Sequence, residues 1–402
     1  MYNIKLFIGR TVLFFLYSII RIFSFLPTKK QKKEGNVIVL TGTFYSKNWI
    51  DAHLVPLVTC SSVEHVYVVS NGMDYNLKGL SVITPSATLS RLMGSTLARL
   101  VTFFICSFKH RPDYIGGFHI LFNGSLAILF SKLLQCRSIY FSVGGITETL
   151  EAGKTENNFF KFLDGKDEFL TATICKITSA SSVIITMGNG AKTFLSAKGV
   201  DSKNIHVISG AIATDKFYPD KTIASEYDIV LTARLSKVKQ VNLYLDIIKK
   251  IKDKQIECRA LIIGDGPLLS ELKAYANSLG IEDRVYFAGH QSNVLNWLQK
   301  SKIYVLTSRS EGLALSMLEG LKVGLPAIVP NVGDLSDVLV DGYNGYLIEN
   351  HNIDDFALSI IALLTNPNLL SEFSDNAIKS TQRFDLIHVQ QQWIHLFTSE
   401  NN

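Results

Sequence analysis

The 402-residue sequence predicts an α/β protein of two doubly wound parallel-sheet domains, preceded by a separate apolar helix. Three observations carry this expectation. Short β-rich runs alternate with helical stretches in two successive series. A polar, proline-containing segment separates the series. The runs of the second series are almost continuously apolar, as strands covered on both faces require. The length suits two ordinary domains, and a composition of 47% hydrophobic and 19% charged residues excludes a disordered chain.

The first element is the apolar run 6–26. As a helix rising ~1.5 Å per residue it reaches about 31 Å, enough to cross a bilayer. Arg10 and Arg21 interrupt it, and with Tyr17, Ser24 and Thr28 they form a narrow polar stripe apart from Leu13, Leu16, Ile20 and Phe23. That pattern predicts a helix lying in a membrane interface. Lys29, Lys30, Lys32 and Lys33 follow at once, each worth about 1 kcal/mol beside anionic headgroups. Segment 1–33 is therefore expected to hold the protein on the cytoplasmic face of a membrane through residues 4–33, peripherally or monotopically. The alternative is a helix packed on the globular body. No small-x-small cleavage site precedes the lysines, so a cleaved leader is not expected. The net charge of +5 gathers near these lysines, which argues against a nucleic-acid partner. Cys60, Cys106, Cys136, Cys175 and Cys258 are far apart and form no Cys-x-x-Cys pair, so neither disulfides nor zinc are indicated.

Strands of the first series are expected at 37–41, 65–70, 137–143 and 183–187. The hinge is expected within 212–220, where apolar residues are few and Pro219 sits. The second series gives strands at 227–231, 259–263, 284–288, 302–306 and 326–329. The domains are accordingly 36–215 and 216–382. A final segment, 383–402, carries Ile387, Val389, Trp393, Ile394 and Phe397 and is expected to return to the first domain. Two such sheets bind ligands at the carboxyl ends of their strands, so the active site is expected in an inter-domain cleft.

Three motifs in the second half carry chemistry, and two further segments read as architecture. Residues 308–320 follow a strand and open a helix, with Glu311 and Glu319 eight residues apart and Gly312 and Ala314 leaving room for an anion. A helix N-terminus there offers about half a positive charge to a phosphate. Arg234 and Lys239 follow another strand and suit a diphosphate, one with a planar fork, the other with a compact charge. Gly264-Asp265-Gly266-Pro267 closes a third strand in a tight turn that leaves backbone groups free for a base. Gly324-Leu325-Pro326 enters a strand, and Asp341-Gly342-Tyr343-Asn344-Gly345 reads as a turn.

In this order and spacing, over roughly residues 227–348, the motifs resemble the C-terminal domain of retaining glycosyltransferases of family 4, the group 1 glycosyl transferases with the GT-B fold of two facing Rossmann-like domains. The resemblance implies a nucleoside-diphosphate sugar as donor and surface-polysaccharide assembly as the setting. It implies that Arg234 and Lys239 hold the pyrophosphate and that Glu311 contacts sugar hydroxyls. Glu319 would contact the ribose, and Leu315 and Ser316 would offer backbone N–H groups to phosphate. In the first half Thr41-Gly42-Thr43-Phe44 follows a strand, and Gly42 is a candidate for the donor diphosphate or a plain turn. The family's usual histidines are displaced. The chain has Gly116-Gly117-Phe118-His119 at one place and Val143-Gly144-Gly145 at the other, leaving His119 as the candidate beside the reacting sugar and Glu148, after Gly144-Gly145, as the other polar residue that could enter the cleft. No Asp-x-Asp motif or ligand-spaced cluster is present, so neither metal nor other cofactor is expected. The membrane-facing start points to a lipid-linked glycan acceptor. The rival readings are an epimerase of the same architecture and a catalytically silent membrane scaffold.

Overall fold

The computed structural model describes residues 2–30, 32, 34–44, 47–151, 159–160, 162–163, 165–213 and 216–399. Lys33 and Asp215, which end two of the expected segments, lie outside them. The chain divides into two compact units, residues 1–211 with 387–402, and residues 212–386.

The N-terminal unit opens with α1 (Tyr2–Phe23) and continues through β1 (Asn36–Thr41), α2 (Lys47–Val58), β2 (Val63–Val69), β3 (Leu80–Ile83), α3 (Ala87–Met93) and α4 (Ser95–His110). It goes on with β4 (Tyr114–Phe118), α5 (Ser125–Leu133), β5 (Arg137–Ser142), α6 (Glu168–Ser179), β6 (Val183–Thr186), α7 (Asn189–Ala197) and β7 (Ile205–Val207). The seven strands pair in the order β3-β2-β1-β4-β5-β6-β7, every pairing parallel. Buried Ile38, Val39 and Leu40 explain the continuous apolar run of β1, which is covered on both faces.

The C-terminal unit runs through β8 (Tyr227–Thr232), α8 (Val241–Asp253), β9 (Ala260–Ile263), α9 (Leu269–Ser278), β10 (Val285–Gly289), α10 (Leu295–Gln299) and β11 (Ser301–Val305). It is completed by α11 (Leu315–Val323), β12 (Ala327–Pro330), β13 (Gly345–Ile348), α12 (Ile353–Thr365) and α13 (Pro367–Ser380). Its parallel sheet has the order β10-β9-β8-β11-β12-β13. Ile212 and Phe217, from the segment where a polar hinge was expected, are buried in this unit's core beside Val230, Leu306 and Met317. The last helix, α14 (Leu386–Ser399), packs on the N-terminal unit, with Phe397 edge-on to Tyr114 and Trp393 beside Phe141. Ile387, in the first turn of that helix, is exposed.

The expected orientation of α1 needs correction. Leu13 and Ile20 face the protein, joining Ile128, Leu170 and Ile174 in one core cluster as α1 packs on α5 and α6. Arg10, read as part of a water-facing stripe, ion-pairs with Asp167 at 2.8 Å. The physical reason is that α1 is apolar nearly all round, so it has one face for the body and a second left over. That second face carries Ile4, Phe7, Ile8, Val12, Phe14, Phe15 and Ile22, all exposed. Among described helices α1 is the one unbroken helix long and apolar enough to cross a membrane. Asp167 also caps α6, accepting from Leu170 N at 2.9 Å. Asp167→Ala is expected to destabilise the N-terminal unit by about 1–2 kcal/mol, read as a lower thermal midpoint, because cap and pairing are lost together.

Candidate active site

Each sheet reverses its winding at one place. In the C-terminal unit β9 and β10 lie to one side of β8, while β11, β12 and β13 lie to the other, so the reversal falls between β8 and β11. In the N-terminal unit it falls between β1 and β4. Loops leaving the carboxyl ends of two such strands diverge to opposite faces and leave a crevice for ligands. The candidate residues follow those strands: Arg234 and Lys239 after β8, Glu311 after β11, Gly42 after β1 and His119 after β4.

In the C-terminal unit, Lys239 Nζ and Glu311 Oε1 are 2.5 Å apart, both side chains largely buried. The two loops are stitched together by backbone groups. The Thr307 hydroxyl donates to Lys239 O at 3.0 Å, and Arg309 N donates to Val238 O at 2.8 Å. Gly333, at φ +60, lets a third loop press on the Glu311 loop, since a Cβ there would lie 1.9 Å from Glu311 O. Helix α11 begins just beyond with Ala314 as its cap, a residue with no side-chain oxygen to close the helix end. The amides of Leu315 and Ser316 thus open the helix ahead of Met317, whose N–H is already bonded to Ala314 O. The Ser316 hydroxyl accepts from Tyr304 OH at 2.7 Å. Burial, with smaller effects from Glu311 and Glu319, pushes that phenol far up, so it remains a neutral donor. Glu319 is half-buried one turn into α11, and Gly312 is buried in the loop before it. Arg234 is exposed and has no ion pair among the described residues.

The Gly264–Gly266 turn has a use that its sequence did not reveal. Gly264 has φ +141, and a Cβ on it would lie 1.8 Å from Ala233 O; one on Gly266 would lie 2.4 Å from Leu235 O. Both glycines let this turn clasp the Arg234 loop, held further by Leu235 N donating to Asp265 O at 2.9 Å. Gly264→Ala is expected to lower stability by about 3 kcal/mol or more, checked by denaturant unfolding, since either the strand end or the loop must move.

In the N-terminal unit His119 sits at φ 66, outside the usual region for a non-glycine residue. Its Nδ1 is 2.9 Å from Glu148 Oε1. Glu148 is buried, and its carboxylate also accepts from Ile120 N at 3.0 Å, Tyr140 OH at 2.8 Å and Gly144 N at 2.5 Å. Burial alone would lower the His119 pKa, but the charge and hydrogen bond of Glu148 outweigh it and hold it above the ordinary value. Burial likewise opposes the Glu148 charge, and His119, Gly144 N and Tyr140 overcome it, holding the carboxyl below its ordinary range. The glycines standing where the family's histidines were expected make room for this dyad. A Cβ on Gly144 would crowd Glu148 Cγ at 2.9 Å, and one on Gly117 would meet the backbone of Asn123 at 2.5 Å.

Three nearby features escaped the sequence reading. Buried Arg99 donates to Thr41 Oγ1 at 2.6 Å and Asn123 Oδ1 at 2.9 Å, pinning the carboxyl end of β1. An arginine within the apolar run of α4 was the signal that marked it. His53, whose pKa burial lowers to about 3 with a contribution from His119, stays neutral beneath Trp49. Phe44, Trp49 and Phe118 form an aromatic cluster against Gly42. All five cysteines are free and buried. Among the described residues no group of three or more His, Cys, Asp or Glu side chains is arranged to hold a metal ion.

Residues 215–380, most of the C-terminal unit, match the family model described as glycosyl transferases group 1. The poly(ribitol-phosphate) alpha-N-acetylglucosaminyltransferase of Staphylococcus aureus is 27% identical over 201 residues, 50% of this chain and 40% of that protein. A UDP-Gal:alpha-D-GlcNAc-diphosphoundecaprenol alpha-1,3-galactosyltransferase of Escherichia coli is 27% identical over 191 residues, 44% of this chain and 49% of that protein. The chain thus spans less than half the length of these two relatives. Among solved structures, Anabaena HepE in complex with UDP superposes with a TM-score of 0.68 at 16% identity, covering 90% of this chain and all of that one. The fold is the expected GT-B type, two Rossmann-like units.

Proposed function

We propose that this protein is a retaining, family 4 glycosyltransferase that moves a sugar from a nucleoside-diphosphate donor to a hydroxyl of a lipid-linked glycan during surface-polysaccharide assembly. The Lys239–Glu311 pair at the open start of α11 carries this reading. Lys239 and Arg234 take the diphosphate, and the amides of Leu315 and Ser316 add the helix-end charge. Glu311 then accepts from sugar hydroxyls and Glu319 from the ribose. Gly42, after β1 in the N-terminal unit, is a further candidate for the donor diphosphate. These cations and amides do the work a metal does elsewhere, stabilising charge on the leaving diphosphate. In this reading no carboxylate among the described residues acts as a nucleophile. The acceptor oxygen therefore bonds to the anomeric carbon on the face from which the phosphate oxygen departs, and that phosphate oxygen takes the acceptor proton. His119, its pKa raised by Glu148, serves in this reading as a hydrogen-bond donor toward the sugar.

The lipid-linked acceptor is supported by the exposed apolar face of α1, with Lys29, Lys30 and Lys32 after it, and by the diphosphoundecaprenol in the Escherichia coli relative's name. The reading sets the protein on the cytoplasmic face of a membrane, where nucleotide sugars are available.

The test offers labelled nucleotide sugars, one at a time, with a membrane lipid extract, to the full chain and to Glu311→Ala. Label entering lipid from one donor, and lost with Glu311→Ala, supports the proposal. A donor converted to its epimer without transfer favours the epimerase. A folded protein that consumes no donor, with acceptor lipid present, favours a silent scaffold. Deleting α1 is a poor control, because it uncovers Ile128, Leu170 and Ile174. Phe7→Ser with Phe15→Ser alters the outer face alone and is expected to reduce transfer into lipid vesicles without lowering the thermal midpoint.

A further inference from the structure

We propose that α4 is a second lipid-facing helix, forming with α1 a broad docking surface for an anionic bilayer; this extends the membrane reading above and rests on it. Helix α4 buries Ala98, Phe103, Cys106 and Ser107 on one side, against β1 and β2. Its other side carries Leu97, Val101, Phe104, Ile105 and Phe108, spaced as one helical face, and Phe108 is 59% exposed. Leu92, in the last turn of α3, is 78% exposed. A helix apolar all round that covers a sheet with one face has a further apolar partner on the other.

Topology turns this face the same way as α1. The connections β3 to β4, β4 to β5 and β5 to β6 all advance in one direction along the sheet, so right-handed crossovers put α4, α5 and α6 on one side of it. Helix α1 packs on α5 and α6, on that same side. Phe104 of α4 meets Phe130 of α5 edge-on at 5.0 Å, and Leu133 of α5 is exposed beside them. The apolar surface therefore runs from α1 across α5 to α4.

Two properties select a bilayer rather than a protein partner. The first is charge: α1, α3, α4 and α5 contain no acidic residue. The linker after α1 brings its lysines to the carboxyl ends of the other two helices. Lys29 N donates to Gln135 O at 2.8 Å, just beyond α5, and Lys32 pairs at 3.2 Å with Asp113, just beyond α4. Lys29, Lys30, Lys109, Arg111 and Lys132 thus rim one end of the surface, as anionic headgroups require. The second is hydrogen bonding. Thr11 and Ser18 on the outer face of α1 return their hydroxyl protons to Phe7 O and Phe14 O, both at 2.8 Å, and Thr102 of α4 does so to Ala98 O at 2.8 Å. Hydroxyls satisfied within their own helix cost little in hydrocarbon.

The test places an environment-sensitive fluorophore on the full chain at Ile105→Cys or, separately, Phe15→Cys, the five native thiols being buried. Vesicles of phosphatidylcholine with and without phosphatidylglycerol are then added. The proposal expects a blue shift at both positions with the anionic vesicles. It also expects Ile105→Glu with Phe108→Glu to weaken vesicle partitioning about 10- to 100-fold at an unchanged thermal midpoint. A shift at position 15 alone overturns the role of α4 while leaving the membrane reading intact. No shift at either position overturns both. A label at 105 shielded without vesicles, in a protein that sediments as a dimer, assigns the face to a second copy of the chain and overturns the proposal.

Discussion

Replacing Glu311 with Gln is expected to lower kcat/KM for sugar transfer about 100- to 1,000-fold while the thermal midpoint barely moves. The side chain keeps its shape but loses its charge. With the diphosphate on Lys239, the carboxylate is released from its 2.5 Å partner to accept from sugar hydroxyls, a set of charged hydrogen bonds each worth roughly 1.5–3 kcal/mol. Gln also leaves Lys239 unneutralised before donor arrives, so nucleoside diphosphate alone is expected to bind at least as tightly as to the unaltered protein. Weaker diphosphate binding together with slower transfer would instead make Glu311 a support for the Lys239 loop. Steady-state kinetics beside calorimetric titration with nucleoside diphosphate separate the two roles.

The second large effect concerns pH. Glu148 raises the His119 pKa above its ordinary value, so the cationic donor form is expected to be lost as pH rises through that raised value, and transfer to decline with it. Glu148→Gln removes the charge that raises the pKa and is expected to move the alkaline limb of the profile toward acid. His119→Ala lowers the rate about 10- to 100-fold and abolishes the limb. The dyad's contribution to stability has matching signs. The His119 part is present at low pH and lost as pH rises through the raised pKa. The Glu148 part is present above its ordinary value of 4.5 and lost as pH falls through the depressed one. A limb unmoved in Glu148→Gln would assign Glu148 to structure alone.

Much of this architecture is legible in the sequence, and what is hidden has physical causes. Strands such as β5 and β6 were placed within a residue or so, because both faces of each are covered and an apolar run is unambiguous. Strand β4 was missed. Its Gly116 and Gly117 break the β-rich pattern, yet they are the residues that let β4 lie against Leu40 and Asn123, where a Cβ would come within 2.5 Å. Strands β3, β7 and β13 were missed because each lies at an edge of its sheet and is only partly buried, so it lacks a continuous apolar run. The second-half site residues stand out because one strand-to-helix turn holds several of them in a row. In the first half, Arg99 and Glu148 reach the carboxyl ends of β1 and β4 from distant segments, and only the fold joins them. Helix α1 misled because a wheel separates polar from apolar residues but does not say which of two apolar faces meets the protein.

The most direct measurement is calorimetric binding of nucleoside diphosphate to the full chain, to Lys239→Ala and to His119→Ala. Donor binding at the start of α11 predicts a Kd weakened about 10- to 100-fold by Lys239→Ala, as the loss of a charged hydrogen bond requires, and little changed by His119→Ala. Diphosphate binding indifferent to Lys239→Ala would contradict the account, because the geometry around β8, β11 and α11 would then serve something other than the donor.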